Sequence, residues 1–220
     1  VARYSEAFSQ TKAAKKFARV HALVDAAPAL ARRVAVGRES SDPTVKSHAD
    51  ALALIMSTGI RPGSERDTGA ARQAYGATTL RAEHVHQGGA GDVRLKFTGK
   101  KGVDLDLPVA DRDIAKMLVR RAATGGQLFP EVNDKSLRDY THSLDKRFST
   151  KDFRTLLGTL VASHEVESGP MPTNMKEYKA AVLRVARKVS ARLGNTPAVA
   201  LESYISPQVW AKWRAGVEDE

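Results

Sequence analysis

Four separated segments of the 220-residue chain place polar residues at the ends of apolar elements, where side chains distant in sequence can converge on one pocket. They are Gly59-Ile60-Arg61-Pro62-Gly63-Ser64-Glu65, Phe97-Thr98-Gly99-Lys100, Lys151-Asp152-Phe153-Arg154-Thr155, and Leu193-Gly194-Asn195-Thr196-Pro197 followed by Ser203-Tyr204-Ile205. In order, they offer an arginine where a helix stops, a lysine in a hairpin turn, an arginine in a helix's first turn, and a tyrosine after a short helix. Guanidinium is planar, permanently charged and able to give paired hydrogen bonds, which suits an oxyanion. A phenol, with a reference pKa of about 10, is a poor nucleophile at neutral pH unless cationic neighbours assist it. Taken singly, each residue also has an ordinary structural role. Arg61 could be a charge at a helix C-terminus, Lys100 a solvated turn, Arg154 a surface ion pair, Asn195 a cap and Tyr204 a core aromatic.

Other motifs do not assemble. His164 and Glu165 begin a string like HExxH, but Ser168 stands where the second histidine belongs, so the zinc site is incomplete. Gly99-Lys100 superficially suggests a phosphate-binding loop. Arg94 stands at the place of its first glycine, and Lys101 replaces the Ser/Thr magnesium ligand. His84 and His86 lie two apart on an expected strand and could share a face, although a solvated or structural role suits such a pair better. No metal site and no cofactor are assigned. The chain has no cysteine, which removes disulfides, thiol catalysis and cysteine-ligated zinc, and fits a reducing compartment.

The elements that must position these residues follow from periodicity. Phe8, Ala14, Phe17, Val20 and Leu23 recur at helical spacing from Tyr4 to about Val24, with Lys12, Lys15, Lys16 and Arg19 between them, and a second helix is expected in the alanine-rich stretch to Val34. After a polar loop, a helix runs from about Pro43 to Thr58, with Asp42 as N-cap and Gly59 as its stop. Between about Thr78 and Pro108 the period becomes alternating: Leu80, Ala82 and His84, then Val93, Leu95 and Phe97, then Val103, Leu105 and Leu107. Three short antiparallel strands with glycine-rich turns are expected. Helical pattern returns at Asp111–Ala123, Lys135–Asp145, Lys151–His164 and Asn174–Leu193. The last of these has Asn174 and Glu177 as a capping box and Met175, Tyr178, Val182, Val185 and Val189 on its buried side. Pro197 and Pro207 divide the final segment into two short helices.

Hydrophobic residues make up 42% and charged residues 27%, values of a folded globular chain rather than a disordered one. No apolar run approaches the roughly 18 residues that a membrane span needs, and VARYSEAF is no signal segment, so a soluble, cytoplasmic protein is expected. Lys and Arg number 35 against 25 acidic residues, a net charge of +10, which points to an anionic partner such as nucleic acid.

The strings IRPGSERDTGAARQAYGATTLRAEHV, LKFTGKKG, KDFRT and VARKVSARLGNTPAVALESYI resemble, in this order, the catalytic domain of type IB DNA topoisomerases of the bacterial and poxvirus-like group. Each string is weak alone, but the ordered set of Arg, Lys, Arg, Asn and Tyr is specific. The resemblance implies an α+β, mainly helical fold with a small three-stranded antiparallel sheet. A helical lobe would span residues 1–76, the sheet with its lysine hairpin 77–109, and a second helical lobe bearing the nucleophile 110–220.

It also implies roles. Tyr204 would attack the scissile phosphate, leaving a 3′-phosphotyrosyl link and a free 5′-hydroxyl. Arg61 and Arg154 would bind the nonbridging oxygens. Lys100, with Lys101 as rival, would protonate the leaving 5′ oxygen. Asn195 occupies the place where many relatives have histidine, and its amide can donate to a phosphoryl oxygen without titrating. Relaxation of supercoils would then need neither ATP nor a metal. The expected partner is double-stranded DNA and not a membrane, and the enzyme is expected to be a monomer, nucleoid-associated if bacterial. Family members usually carry a small β domain before the segment resembling Tyr4–Phe17, so a catalytic fragment is expected. Tyrosine recombinases share the fold and much of the site, and a noncatalytic DNA-binding module is the alternative of another class.

Overall fold

Helical periodicity predicts two helices before Val34, but the computed structural model has one, α1 (Glu6–Arg38), which runs straight through Pro28. The structure describes residues 6–64 and 72–217, and side chains from Thr11 onward. Tyr4, the phenyl ring of Phe8 and Glu65 therefore lie outside the described residues. An internal proline deletes a backbone hydrogen bond and costs about 3 kcal/mol. Burial outweighs that cost, because Val20 and Leu23 before the proline and Leu30 and Val34 after it enter the same core, each contributing roughly 1.5–3 kcal/mol. Ala14, expected on the apolar side, is exposed.

The second helix, α2 (Pro43–Thr58), keeps its expected ends. The Asp42 carboxylate accepts from the N–H groups of Thr44 and Val45 at 2.8 and 3.4 Å, and Gly59 takes the left-handed conformation at φ +68°.

The sheet is antiparallel in the order β1-β2-β3, with β1 at Val85–Gln87, β2 at Val93–Thr98 and β3 at Asp104–Pro108. Leu95 pairs with Val85 on one side and Leu107 on the other. Val93, Leu95 and Phe97 are buried, while Arg94, Lys96 and Thr98 between them are more exposed. The first strand starts later than its alternation predicts. Leu80 lies between two 3-10 turns, Ala77–Thr79 and Ala82–His84, and the second of these takes Ala82 and His84. There the Arg81 N–H donates to His84 Nδ1 at 3.0 Å, and the imidazole packs 4.3 Å from the Tyr75 ring. Burial lowers the His84 pKa, favouring the neutral form that can accept this bond. His84 is thus a structural residue, removed from the strand on which the exposed His86 sits.

Six helices complete the order: α3 (Arg112–Ala122), α4 (Asp134–Leu144), α5 (Thr150–Ser168), α6 (Met175–Leu193), α7 (Pro197–Ser203) and α8 (Ala211–Ala215). Pro197 opens α7, and Pro207 opens the 3-10 turn leading into α8, so the final segment is divided as its prolines require. At the start of α6, the Asn174 side chain accepts from the Glu177 N–H at 3.0 Å. Glu177 reaches back to Thr173 rather than to the Asn174 N–H, accepting from its N–H and hydroxyl at 2.9 Å each. Ala181, Val185, Ala186, Val189 and Leu193 form the buried side of α6, whereas Met175 is exposed.

Among the described residues, two apolar cores result. The larger joins α1 and α2 to the sheet, α3 and α4, and the smaller joins α6 and α7 to Trp210 and Trp213. Helix α5 belongs to both, giving Phe153 and Leu156 to the first and Ala162 and Val166 to the second. Asp50, buried in α2, takes Arg38 Nε and Arg121 Nη2 at 3.0 Å each and so ties α1, α2 and α3 together.

Candidate active site at the seam between the two cores

Arg61 owes its place to the residues on either side. Gly59 turns the chain out of α2, and Ile60 is 1% exposed and anchors the turn in the large core. The Arg61 carbonyl then accepts from the Ala77 N–H at 2.8 Å, and the Pro62 carbonyl from the Thr78 N–H at 2.7 Å. A Cβ at Gly76 would stand 2.6 Å from the Arg61 carbonyl oxygen, so only glycine permits this approach. The half-buried Arg61 side chain departs from a pinned backbone.

Lys100 follows β2, in a turn closed by the Gly99 N–H donating to the Val103 carbonyl at 2.7 Å. The turn passes through left-handed backbone at Lys101, φ +65°, and Gly102, φ +73°. Lys100 is exposed, and it lines a narrow cleft together with Arg61 and Arg154. Lys101 is not among the cleft-lining residues. The hairpin is docked onto the helical side by Leu105 of β3. A Cβ at Gly194, itself at φ +61°, would lie 2.1 Å from Leu105 Cδ2.

Arg154 sits in the first turns of α5, where the Ser149–Asp152 box caps the helix: Asp152 accepts from the Ser149 N–H at 2.8 Å and from its hydroxyl at 2.9 Å. The guanidinium is 4% exposed and joins two helix ends. It donates to the Gly59 carbonyl, just beyond α2, and to the Leu193 carbonyl, the last of α6, both at 2.5 Å. Both acceptors lie at the negative ends of helix dipoles, which offsets part of the cost of burying the cation. Its Nε is buried without a partner.

Asn195 follows the left-handed Gly194, and its N–H donates to the Ser190 carbonyl at 3.1 Å. Both polar atoms of its amide are buried and unpartnered. A buried polar group left without a partner costs about 1–3 kcal/mol.

Tyr204 is the C-cap that follows α7, and its ring centroid lies 4.8 Å from the Arg154 guanidinium carbon and 5.9 Å from that of Arg61. Burial pushes the phenol up, but the charges of Arg154 and Arg61 outweigh it and hold the hydroxyl below its ordinary range. The structure therefore brings Arg61, Arg154 and Tyr204 together, with Lys100 on the same cleft and Asn195 next to its lining residue Gly194.

Four further residues at this seam escape periodicity and motif. Gly158 lets Tyr204 approach α5: a Cβ there would meet the Tyr204 carbonyl oxygen at 2.7 Å. The Thr159 hydroxyl donates to that carbonyl and accepts from the Ser206 N–H, both at 3.2 Å. Arg192 donates to the Ser57 carbonyl at 2.8 Å, holding the ends of α6 and α2 together. Lys16 of α1 donates to the Ser203 carbonyl at 2.9 Å. Only Gly158 leaves a sequence signal, as a glycine inside a helical pattern.

Among the described residues, no helix is long and apolar enough to cross a membrane. No curated protein sequence matches the chain. A family model described as eukaryotic DNA topoisomerase I, catalytic core, matches residues 5–214. That span takes in the arginine loop, the lysine hairpin, α5, the Gly194-Asn195 turn and Tyr204, and the protein belongs to the DNA topoisomerase I family as a type IB catalytic core, an isomerase whose substrate is DNA.

Proposed function

We propose that the chain relaxes supercoiled duplex DNA through a transient single-strand nick, with Tyr204 as the nucleophile. The observation that carries this reading is the convergence of Arg61, Lys100 and Arg154 on one cleft, with the Tyr204 ring against both guanidinium groups. The phenolic oxygen attacks the scissile phosphorus opposite the 5′ oxygen. As the phosphorus–tyrosine bond forms, the bond to the 5′ oxygen breaks. The Lys100 ammonium gives that oxygen its proton, the phenolic proton goes to solvent, and a 3′-phosphotyrosyl ester and a free 5′-hydroxyl remain.

Arg61 and Arg154 hold the nonbridging oxygens, and the Asn195 amide adds a neutral donor. Lys100 is preferred to Lys101 because it lines the cleft. Resealing reverses each step. One phosphate ester replaces another, so the scheme closes without ATP, and three cationic side chains supply its positive charge. The duplex acted on by one copy of the chain turns about the intact strand between the two steps.

Supercoiled plasmid incubated with the protein in EDTA without ATP, then trapped with detergent, tests this. Relaxation with protein linked to the 3′ side of the nick is expected, and Tyr204→Phe should abolish both. An adduct surviving in Tyr204→Phe would remove the assignment. Exchange between paired sites would indicate a recombinase, and gel retardation alone a binding module.

A further inference from the structure

Tyr204 belongs to a segment held at both ends by the first helix of the chain. Lys16 Nζ donates to the Ser203 carbonyl at 2.9 Å, immediately before the tyrosine. His21 Nε2 lies 3.1 Å from the Ser206 hydroxyl, two residues after it. Between these, Arg19 reaches Asp152 at 3.3 Å, in the cap of the helix that carries Arg154. Ser203 is the last residue of α7, so its carbonyl is a helix-end acceptor that a lysine suits well.

Burial lowers the Lys16 pKa, and the Tyr204 phenol and the Glu202 carboxylate nearby act against that shift. The other supports of the segment come from α5 and α7: Thr159 grips Tyr204 and Ser206, and the Tyr204 and Ile205 N–H groups donate to the Ala200 carbonyl. Without Lys16 the α7 end loses its one contact from α1 on the upstream side of the tyrosine among the hydrogen bonds described for Ser203.

We propose that Lys16 and His21 are positioning residues for the nucleophile, bracketing Tyr204 so that its hydroxyl is held for attack before DNA chemistry begins. This rests on Tyr204 being the nucleophile. A bracket of this kind acts on the free tyrosine and not on the covalent intermediate, where the phosphodiester itself tethers the ring. Cleavage should therefore depend on Lys16, and resealing should not. A shift of about 1 Å in a reacting group can cost about a hundredfold in rate.

The test is single-turnover cleavage of a duplex oligonucleotide whose downstream strand diffuses away after nicking, with resealing measured separately by adding back a 5′-hydroxyl strand. Lys16→Met should slow cleavage about ten- to a hundredfold. DNA affinity and resealing rate should stay within twofold of wild type with the melting temperature unchanged, and Lys16→Arg should restore most of the loss. His21→Ala should lower cleavage in the same selective way. If wild type forms no Tyr204 adduct, the underlying functional reading fails. If wild type cleaves and Lys16→Met matches it, the bracket is refuted. Equal slowing of cleavage and resealing, or a loss confined to DNA affinity, would also overturn it, assigning Lys16 to general stability or to DNA contact.

Discussion

A phenol at neutral pH is almost wholly protonated, so whatever lowers its pKa raises the fraction able to attack. In Tyr204 two opposing effects act on the same group: burial favours the neutral phenol, and the Arg154 and Arg61 charges favour the phenolate and prevail. Single-turnover cleavage should thus rise with pH along a limb centred below the free-tyrosine value of about 10. Arg61→Ala should move that limb to higher pH and lower the rate by about 10² to 10³. Asn195→Ala should lower the rate without moving it, because a neutral amide neither titrates nor adds charge. A limb near pH 6.5 that disappears in Asn195→Ala would contradict the role given to the amide. The sequence offers these five residues as an ordered set, and the structure gathers Arg61, Lys100 and Arg154 on one cleft with the Tyr204 ring against two of them. Their individual surroundings were not legible there: nothing in KDFRT says that Arg154 spends two donors on the ends of α2 and α6.

At the scale of elements, Tyr204 is placed by what α5 leaves out. Gly158 stands mid-helix, where alanine would gain about 1 kcal/mol of helix propensity. A Cβ at that position would meet the Tyr204 carbonyl oxygen at 2.7 Å, Tyr204 Cβ at 3.0 Å and a Leu193 methyl at 3.1 Å. The first contact is with backbone, which no rotamer change relieves, and overpacking of this kind costs about 1–3 kcal/mol. Gly158→Ala should therefore leave stability unchanged or lower it by up to about 2 kcal/mol, the difference of those figures. Cleavage should fall more than stability, since the strain lands on the tyrosine. Thermal unfolding and single-turnover cleavage measured on one variant separate the two, and a more stable, fully active protein would rule out the close approach.

Local chemistry made the elements readable wherever it decides them, as at Asp42, Pro43, Gly59, Asn174 and Pro197. It failed where distant contacts decide. Pro28 reads as a break, yet burial on both sides carries α1 through it, and Leu80 to His84 alternate like a strand but are drawn into turns around a buried imidazole.

For the whole molecule, two cores meet along α5, and a narrow cleft near their junction sets the cations Arg61, Lys100 and Arg154 among apolar walls such as Ile60, Phe97, Leu105 and Leu193. The net charge of +10 exceeds what the cleft itself carries, and Lys176, Lys179, Arg184 and Arg187 are exposed on α6, the helix that ends just before Gly194 and Asn195. Cations that neutralise backbone phosphates release counterions, so log affinity should fall linearly with log salt. Six to ten such contacts would weaken duplex binding by about 10³ to 10⁵ between 50 and 200 mM salt. Chemistry inside the cleft acts at short range through the buried Arg154 and the half-buried Arg61 and Tyr204, and is screened less than the exposed cations that track the backbone. Binding and single-turnover cleavage at saturating DNA, measured across one salt series, should therefore separate: affinity collapses while the saturated rate changes little. A rate that fell in parallel with affinity would mean that the catalytic charges are themselves solvent-screened, and the buried Arg154 clamp could not be the phosphate-binding group.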